Sequence, residues 1–432
     1  MLRLSLICGV LSILVAGSPG RADQTKARPE RQIADELFKQ GNFSESATHY
    51  TKAIAREPKS AHCLARLGYI ALLRNRLDRA EELLKRAEKA GAEESPEVLK
   101  AIRSLLTEVY YRRDDFEHAA PLMRLTGREG VAKKLESFKG QVPYQLTAKG
   151  DMTSLKFVVT DPLPLVRLRV NGGEEANFLI DTGAPELMLD PAFAVRVGAK
   201  LFGAETGSFA GGKQAAVQQG RVDSVTMGDF TIRNVPIAAL NTRQFAPIFG
   251  GKQVDGIVGT VLLKHFLSTL DYPNGQLILR RKSREAVRPL EAAVKAGKAT
   301  AVPFWMAGDH FMVAWGKVNQ APPVLLFADT GLAGGGVTLA ESVIKEAGIS
   351  LDEDQAGTGI GGGGAVRIVP FTVAELGLGK ITERDVRGLF TGRFPLEYHF
   401  GFRIGGIISH GFFRPYALTF DFEAMRLILQ KP

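Results

Sequence analysis

The sequence has little cysteine, and its composition is otherwise that of an ordinary globular protein. Only Cys8 and Cys63 occur among 432 residues, which excludes a disulfide framework. With 45% hydrophobic and 23% charged residues, the bulk of the chain is neither disordered, collagen-like nor coiled coil. At roughly 100–200 residues per domain, the length predicts two to four domains.

Several motifs of common enzymes and binding proteins are also missing. The histidines lack metal-ligand spacing and no H-E-x-x-H occurs, so we expect no metal and no other cofactor. There is no G-x-S-x-G, and the formal G-x-G-x-x-G at 359–364 lacks the strand–turn–helix unit of a dinucleotide site. The net charge of +9 is small and spread along the chain, and no aromatic residues interleave the basic cluster at 280–284. Nucleic-acid binding is therefore not expected.

The first 22 residues are typical of a secretory signal peptide. Arg3 precedes an apolar stretch at 4–16, and small residues flank the expected cleavage site after Ala22. An uncleaved interfacial anchor is the alternative. No second long apolar run follows. We therefore expect a periplasmic or secreted protein without stable membrane insertion after signal cleavage.

Residues 30–125 carry a repeated helical pattern. Its turn positions Phe43, Leu77 and Phe116 recur at the spacing of a helix–turn–helix repeat, with a longer second gap. The pattern resembles the tetratricopeptide repeat, which implies a curved stack of helices that docks a protein or peptide partner. The alternative is a folding or spacing appendage with no ligand of its own. Residues 126–150 then form a linker or an inhibitory segment.

From residue 151 the chain is rich in strand patterns and contains a duplication. Short β-branched and aromatic runs alternate with glycine, proline and asparagine, which predicts an all-β region. Residues 169–183 align without gaps with 317–331, and residues 256–279 align likewise with 406–429. The duplication predicts two β lobes, at 151–281 and 282–432.

In each lobe an apolar strand runs directly into Asp-Thr-Gly, at 181–183 and 329–331. Glycine permits a tight turn there, which places the aspartate at the tip of a rigid strand. If the lobes face each other, Asp181 and Asp329 meet, share one proton and activate a water molecule between them. The other motif residues are expected to support the pair, the threonines by hydroxyl hydrogen bonds: Thr182, Gly183, Thr330 and Gly331.

These motifs resemble those of retropepsin-like aspartic proteases, with both lobes in one chain as in the pepsin-like enzymes. Residues 178–184 and 257–259 match the family pattern, whereas the second lobe has Leu332 after its motif and Ser409 at the distal glycine position. The resemblance implies a multidomain chain: an α-helical, tetratricopeptide-like repeat region followed by an all-β, bilobal acid-protease fold. It also implies an aspartic endopeptidase that acts on a protein or peptide substrate.

The family further implies glycine-rich flap hairpins over the cleft. Segments 207–212 and 357–364 are glycine-rich, one in each lobe, as suits a two-flap arrangement. The residues expected in the flaps and in substrate binding are Gly207, Phe209, Gly211, Gly359, Ile360 and Gly361.

The sequence leaves open whether the second lobe is competent for catalysis and at which pH the aspartate pair would act. Leu332 and Ser409 motivate an alternative, a catalytically inactive peptide-binding or scaffold protein of the envelope, although both aspartates are intact. Ala184 and Leu332 also supply no hydroxyl to lower the pKa of the aspartates. We therefore expect activity nearer neutral pH than in acid-adapted relatives, and a pH optimum below about 4 would contradict this.

Overall fold

A computed structural model describes residues 28–92, 95–209 and 212–432. The expected signal peptide, residues 1–22, lies outside the described residues. Across the described ranges, no helix combines the length and apolar character needed to cross a bilayer. Among the described residues, a helical region is followed by a larger β-rich region.

The helical region is a stack in which each helix packs against the next. Three of its helices begin at a side-chain cap: Ser60 Oγ accepts the Cys63 N–H, Ser95 Oγ accepts the Val98 N–H, and an Asp115 carboxylate oxygen accepts the His118 N–H. The helices are α1 (Glu30–Lys39), α2 (Phe43–Arg56), α3 (Ala61–Leu73), α4 (Leu77–Ala90), α5 (Pro96–Arg112), α6 (Phe116–Leu125) and α7 (Glu129–Glu136).

Small residues and left-handed turns set the spacing of these helices. A Cβ on Gly68 would lie 2.9 Å from Leu84 Cδ2, so only glycine allows α3 and α4 to approach this closely. Ala80 on α4 is fully buried. The turns after α3 and α5 use Asn75 and Asp114 at φ values of 55° and 59°, which these residue types adopt more readily than most.

The β-rich region contains two lobes with corresponding elements. Lobe 1 comprises β1 (Gln145–Ala148), β2 (Met152–Lys156), β3 (Leu165–Val170), β4 (Ala176–Ile180), β5 (Leu187–Leu189), α8 (Pro191–Arg196), β6 (Lys200–Ser208), β7 (Gln214–Met227), β8 (Phe230–Ala239), β9 (Gly256–Val258), α9 (Thr260–Leu263), β10 (Leu267–Asp271) and β11 (Gln276–Arg280). Lobe 2 comprises α10 (Arg284–Lys295), β12 (Ala299–Pro303), β13 (Trp305–Ala307), β14 (Phe311–Val318), β15 (Val324–Ala328), β16 (Val337–Leu339), α11 (Glu341–Glu346), β17 (Gly357–Gly361), β18 (Gly364–Leu378), β19 (Ile381–Phe390), β20 (Ile404–Ile408), α12 (His410–Phe413), β21 (Ala417–Asp421) and β22 (Arg426–Gln430).

Each lobe is built on its own sheet, and a third sheet joins the lobes. In lobe 1 the strand order is β1-β8-β5-β9-β4-β3-β7-β6, and in lobe 2 it is β13-β14-β15-β20-β16-β19-β18-β17. The joining sheet has the order β12-β22-β21-β10-β11-β2. At its centre Thr269 pairs with its duplicate Thr419, and their hydroxyl oxygens are 2.7 Å apart. The predicted fold class, a helical repeat region followed by an all-β bilobal region, is confirmed.

Residues 126–150 contribute to both regions. They include helix α7, which packs on α6, and strand β1, which pairs with β8 of lobe 1. The Tyr144 ring stacks on the His265 ring with centroids 4.0 Å apart. The stretch expected as a linker or an inhibitory segment therefore carries a helix and an edge strand of the lobe 1 sheet.

The helical region packs directly on lobe 2. Phe402, which has no exposed surface, lies against the rings of Phe38 and Phe43 with centroids 5.8 and 4.9 Å away. Arg112 at the end of α5 is buried and donates to the carbonyl oxygen of Met306 at 2.7 Å. Both regions consequently share one hydrophobic core.

Candidate active site

Asp181 and Asp329 each stand at the end of a buried strand. Asp181 follows β4 and Asp329 follows β15, and both strands are apolar and almost wholly buried. The Asp181 N–H donates to the carbonyl oxygen of Val258 at 3.1 Å, and the Asp329 N–H donates to that of Ile408 at 3.0 Å. These bonds continue the parallel pairings β4–β9 and β15–β20, so each aspartate is fixed by two strands.

Thr182 and Thr330 connect the two loops through reciprocal hydrogen bonds. The Thr182 hydroxyl donates to the carbonyl oxygen of Ala328 at 3.0 Å and accepts the Thr330 N–H at 3.0 Å. The Thr330 hydroxyl donates to the carbonyl oxygen of Ile180 at 3.3 Å and accepts the Thr182 N–H at 3.0 Å. Both threonines are fully buried, so the loops are braced against each other without water.

The motif glycines bring the two carboxylates face to face. Gly183 N–H donates to Asp181 Oδ1 and Gly331 N–H donates to Asp329 Oδ1, both at 2.7 Å. A Cβ on Gly183 would lie 2.6 Å from Asp329 Oδ1, and one on Gly331 would lie 2.5 Å from Asp181 Oδ2. Each loop therefore needs glycine because the aspartate of the other lobe occupies the adjacent space.

The burial of this pair changes its titration. Loss of water around the carboxylates raises the pKa of both Asp181 and Asp329, and the charge of Asp329 raises the pKa of Asp181 further. The Gly331 N–H opposes the rise in the pKa of Asp329 by donating to its ionised form. Over an intermediate pH range the pair consequently holds one proton, with one acidic and one basic carboxyl.

Two long hairpins form flaps, one in each lobe. Flap 1 is the β6–β7 hairpin (200–227) and flap 2 is the β17–β18 hairpin (357–378). The expected flap residues with described positions lie in these hairpins; Gly211 lies outside the described residues. They are Gly207 and Phe209 in flap 1, and Gly359, Ile360 and Gly361 in flap 2.

The flaps meet at their tips. A Cβ on Gly362 would lie 2.7 Å from Cε1 of Phe209, and one on Gly363 would lie 2.5 Å from Cβ of Lys213. Gln244 of lobe 1 donates to the carbonyl oxygen of Gly362 at 3.2 Å. The tip of flap 2 thus rests on lobe 1 as well as on flap 1.

The inner side of flap 1 borders the loop of Asp181. Val217 and Phe209 pack in the same apolar cluster as Ala184, the residue directly after the first Asp-Thr-Gly motif. Ala333 of lobe 2 packs at the edge of this cluster. An apolar surface therefore lies beside the carboxylate pair, where its low polarity strengthens electrostatic interactions.

Protein-family models match both the helical region and the two lobes. The aspartyl protease family model matches residues 166–262 and 314–401, one stretch in each lobe, and each stretch includes an Asp-Thr-Gly loop. Each lobe is thus similar to the aspartyl protease family over the stretch that carries its Asp-Thr-Gly loop. The tetratricopeptide repeat model matches residues 31–95. The predicted resemblance to both families is confirmed, and it supports a protease with a docking module.

Two other comparisons complete this picture. No curated protein matches the chain. Among solved structures, the chain is similar to conglutin gamma, a basic 7S globulin from lupine seeds, with 10% sequence identity and a TM-score of 0.37. That similarity covers 66% of this chain and 96% of the other.

The two lobes differ at the distal glycine position. A Cβ on Gly259 would lie 2.6 Å from the carbonyl oxygen of Ala184 and 2.7 Å from that of Pro185, so lobe 1 admits only glycine. In lobe 2 the loop after the motif is two residues longer, and Ser409 is fully buried there. Its hydroxyl accepts the Leu332 N–H at 3.0 Å. Both departures from the family pattern are thus accommodated by one local contact.

Some residues around the carboxylate pair carry no recognisable sequence signal. Glu186, five residues after Asp181, is buried and ion-paired with Lys134 of the helical region at 2.7 Å. Gln244 donates to the carbonyl oxygen of Gly362 at the flap tip. Gly362 lies in the expected flap segment 357–364, whereas Gln244 lies outside both expected segments. The glycine-rich composition at 357–364 did indicate a flap, but the contact partner of each glycine depends on the other lobe.

Proposed function

We propose that this chain is an aspartic endopeptidase of the periplasm or of the secreted fraction. The observation that carries this proposal is the pairing of Asp181 and Asp329 by two reciprocal loops, with a raised pKa at both carboxyls. A carboxyl pair that shares one proton supplies both a base and an acid at one site. Neither a metal ion nor a covalent intermediate is needed for such a reaction.

The proposed reaction uses both members of the pair. The ionised carboxylate removes a proton from a water molecule held between Asp181 and Asp329, and the water oxygen bonds to the carbonyl carbon of the peptide. The protonated carboxyl gives its proton to the carbonyl oxygen, forming a neutral tetrahedral diol. When the C–N bond breaks, a proton moves from a diol hydroxyl through the carboxylates to the leaving nitrogen, which yields an acid and an amine.

The flaps support an extended substrate. Flap strands that are open to pairing can bind a peptide by main-chain hydrogen bonds, with alternate side chains directed to either face. Phe209 and Val217 supply apolar surface under flap 1. The contact between the flap tips must open for entry, which makes flap motion a step of the proposed cycle.

The location and the docking role rest on other features. The apolar stretch at residues 4–16 after Arg3 supports export of the chain. The tetratricopeptide match supports recruitment of a protein partner or substrate. Export is tested by N-terminal sequencing of the protein recovered from the periplasm, since cleavage after Ala22 predicts a start at Asp23.

The catalytic proposal is tested with the full mature chain and a peptide library. Asp181→Asn and Asp329→Asn should each lower kcat/KM by at least about 1,000-fold, because the acid–base pair is then incomplete. Asp151→Asn is the matched control, since Asp151 lies outside both flaps and its side chain is 96% exposed. Its activity should equal that of the wild type.

Two outcomes would reject the proposal. Cleavage that survives either dyad substitution would show that the carboxylate pair is not the catalyst. Peptide binding without cleavage by the wild-type chain would instead support the alternative, an inactive protease-like binding protein. Circular dichroism of each variant separates loss of the dyad from loss of the fold.

A further inference from the structure

A buried polar cluster joins the helical region to the active-site side of lobe 1. Lys134 on α7 has 1% of its side chain exposed. Its ammonium donates to Glu186 Oε1 at 2.8 Å, to Glu186 Oε2 at 2.7 Å and to Gln219 Oε1 at 2.7 Å. Tyr111 at the end of α5 also donates to Glu186. The ammonium group thus joins two separate elements of lobe 1.

The first of these elements is the loop that carries Asp181. Glu186 lies at its end, and the preceding carbonyl oxygens of Ala184 and Pro185 accept the N–H groups of Thr260 and Val261 at 3.0 and 2.7 Å. The same carbonyl groups leave no room for a side chain at position 259. A contact that fixes Glu186 therefore also fixes the end of the loop against helix α9.

The second element is flap 1. Gln219 lies on β7, the returning strand of the hairpin. Further contacts along α7 reach the other flap strand, β6: Arg128 Nε donates to Glu205 Oε2 at 3.2 Å, and the Val131 N–H donates to Glu205 Oε1 at 3.2 Å. Arg221 on β7 donates to the carbonyl oxygen of Ser137. Helix α7 thus contacts both strands of flap 1.

The corresponding loop of lobe 2 has no such attachment point. Residues 332–336 read Leu-Ala-Gly-Gly-Gly, so no carboxylate follows the second motif. A buried ion pair is costly to desolvate and is commonly no better for stability than an apolar pair of the same volume. A role in aligning the Asp181 loop with flap 1 therefore explains the buried position of Lys134 better than a contribution to the stability of the fold.

We propose that Lys134 is a positioning residue for the active site, which it serves through Glu186 and Gln219. It fixes the end of the Asp181 loop and the base of flap 1 relative to each other. The helical region therefore helps to set the geometry of the active site. This inference rests on the proposed peptidase function for its activity readout. Its structural readout does not depend on activity.

The experiment compares Lys134→Met with Lys133→Met in the full mature chain. Lys133 is the neighbouring residue on the same helix, and its side chain is 54% exposed. Because a shift of about 1 Å at reacting groups can lower the rate by about 100-fold, Lys134→Met should lower kcat by 10- to 100-fold. Lys133→Met should leave kcat and KM at the wild-type values.

A double variant separates positioning from stability. Lys134→Met alone leaves the Glu186 carboxylate buried without its cation, so its melting temperature should fall. Lys134→Met/Glu186→Gln removes that charge and should recover the wild-type melting temperature, while kcat stays low. A stable double variant with full kcat would overturn the proposal.

Hydrogen exchange supplies the readout that is independent of catalysis. In the double variant, exchange should quicken at least about threefold in peptides covering 183–189 and 214–221, but not in 332–339 of lobe 2. Equal exchange in all three segments would overturn the proposal. If the wild type proves inactive on all peptides, the proposed function fails, and the exchange comparison alone decides whether Lys134 positions the loop and the flap.

Discussion

The burial of Asp181 lowers the stability of the folded protein at neutral pH. An unfolded aspartate has a pKa of about 3.9, whereas burial and the charge of Asp329 raise the folded pKa of Asp181. The folded chain therefore binds more protons, and stability is lost as pH rises from about 3.9 towards the raised folded pKa. Below the unfolded pKa both states are protonated and this loss is absent.

Asp181→Asn should therefore stabilise the protein near neutral pH. Asparagine is neutral, so each unit of pKa difference that it removes is worth about 1.4 kcal/mol in the free energy of unfolding. Urea unfolding at pH 7 and at about pH 3.5 measures this, and the gain should shrink at the lower pH. Asp151→Asn, at an exposed site outside both flaps, should show no such pattern. A gain of equal size at both pH values would contradict the assigned cause.

At the residue scale, the sequence predicts functional residues that belong to a motif. It does not predict the residues around them that belong to no motif. Asp181 and Asp329 were predictable because the duplication places them at matching strand ends. Ser409 could be recognised as a departure, but its acceptance of the Leu332 N–H depends on the longer loop in three dimensions. Glu186 and Lys134 are 52 positions apart, and no local pattern pairs them.

At the scale of elements, the closed flaps depend on glycine at one tip. A Cβ at Gly362 would lie 2.7 Å from Phe209 Cε1, so Gly362→Ala should push the ring aside and weaken the contact between the flaps. Amide exchange at 359–364 should then quicken about tenfold, since such a contact is worth about 1 kcal/mol or more. Hydrogen exchange with mass spectrometry measures it.

Gly357→Ala is the matched control in the same hairpin. The nearest atom to its new Cβ would be Ile368 Cγ1 at 4.0 Å, an ordinary contact distance. Its exchange should match that of the wild type, apart from a small propensity effect. If both variants exchange alike, the tips do not hold the flaps closed.

Helices and strands could be predicted where a local sequence pattern specifies them. The helical repeats follow from the recurring turn positions Phe43, Leu77 and Phe116, and the strand-rich lobes follow from short β-branched runs between glycine, proline and asparagine. The register between the flap tips was not predictable, because Phe209 and Gly362 belong to different lobes and meet only after both hairpins have folded. Helix α7 and strand β1 were missed in a stretch expected as a linker or an inhibitory segment, since both are short and are stabilised by distant partners.

At the scale of the whole molecule, the helical region and the lobes should unfold together. Phe402→Ala would remove a buried ring at their common core and should lower the free energy of unfolding by about 3–5 kcal/mol. Because that core is continuous, helical circular dichroism and tryptophan fluorescence should shift by equal amounts. Trp305 reports on this contact, with its ring 5.5 Å from that of Phe43.

Leu125→Ala serves as the control for this prediction. Leu125 lies in the helical region but is 63% exposed, so its loss should change stability by no more than about 0.5 kcal/mol. A helical signal that is lost at lower denaturant than the fluorescence signal would show that the two regions unfold separately. Such an order would contradict the shared core.

The joining sheet has a consequence for how the two halves can diverge. Thr269 meets its own duplicate Thr419 at the sheet centre, as residues do on the axis of a symmetric dimer. In a homodimer every substitution appears twice, so a change that suits one side must also be tolerated on the other. Here each half has its own codons. One half can keep a glycine that admits no replacement, while the other acquires a serine and a longer loop. Lys134 can likewise bind a carboxylate, Glu186, that only one half carries.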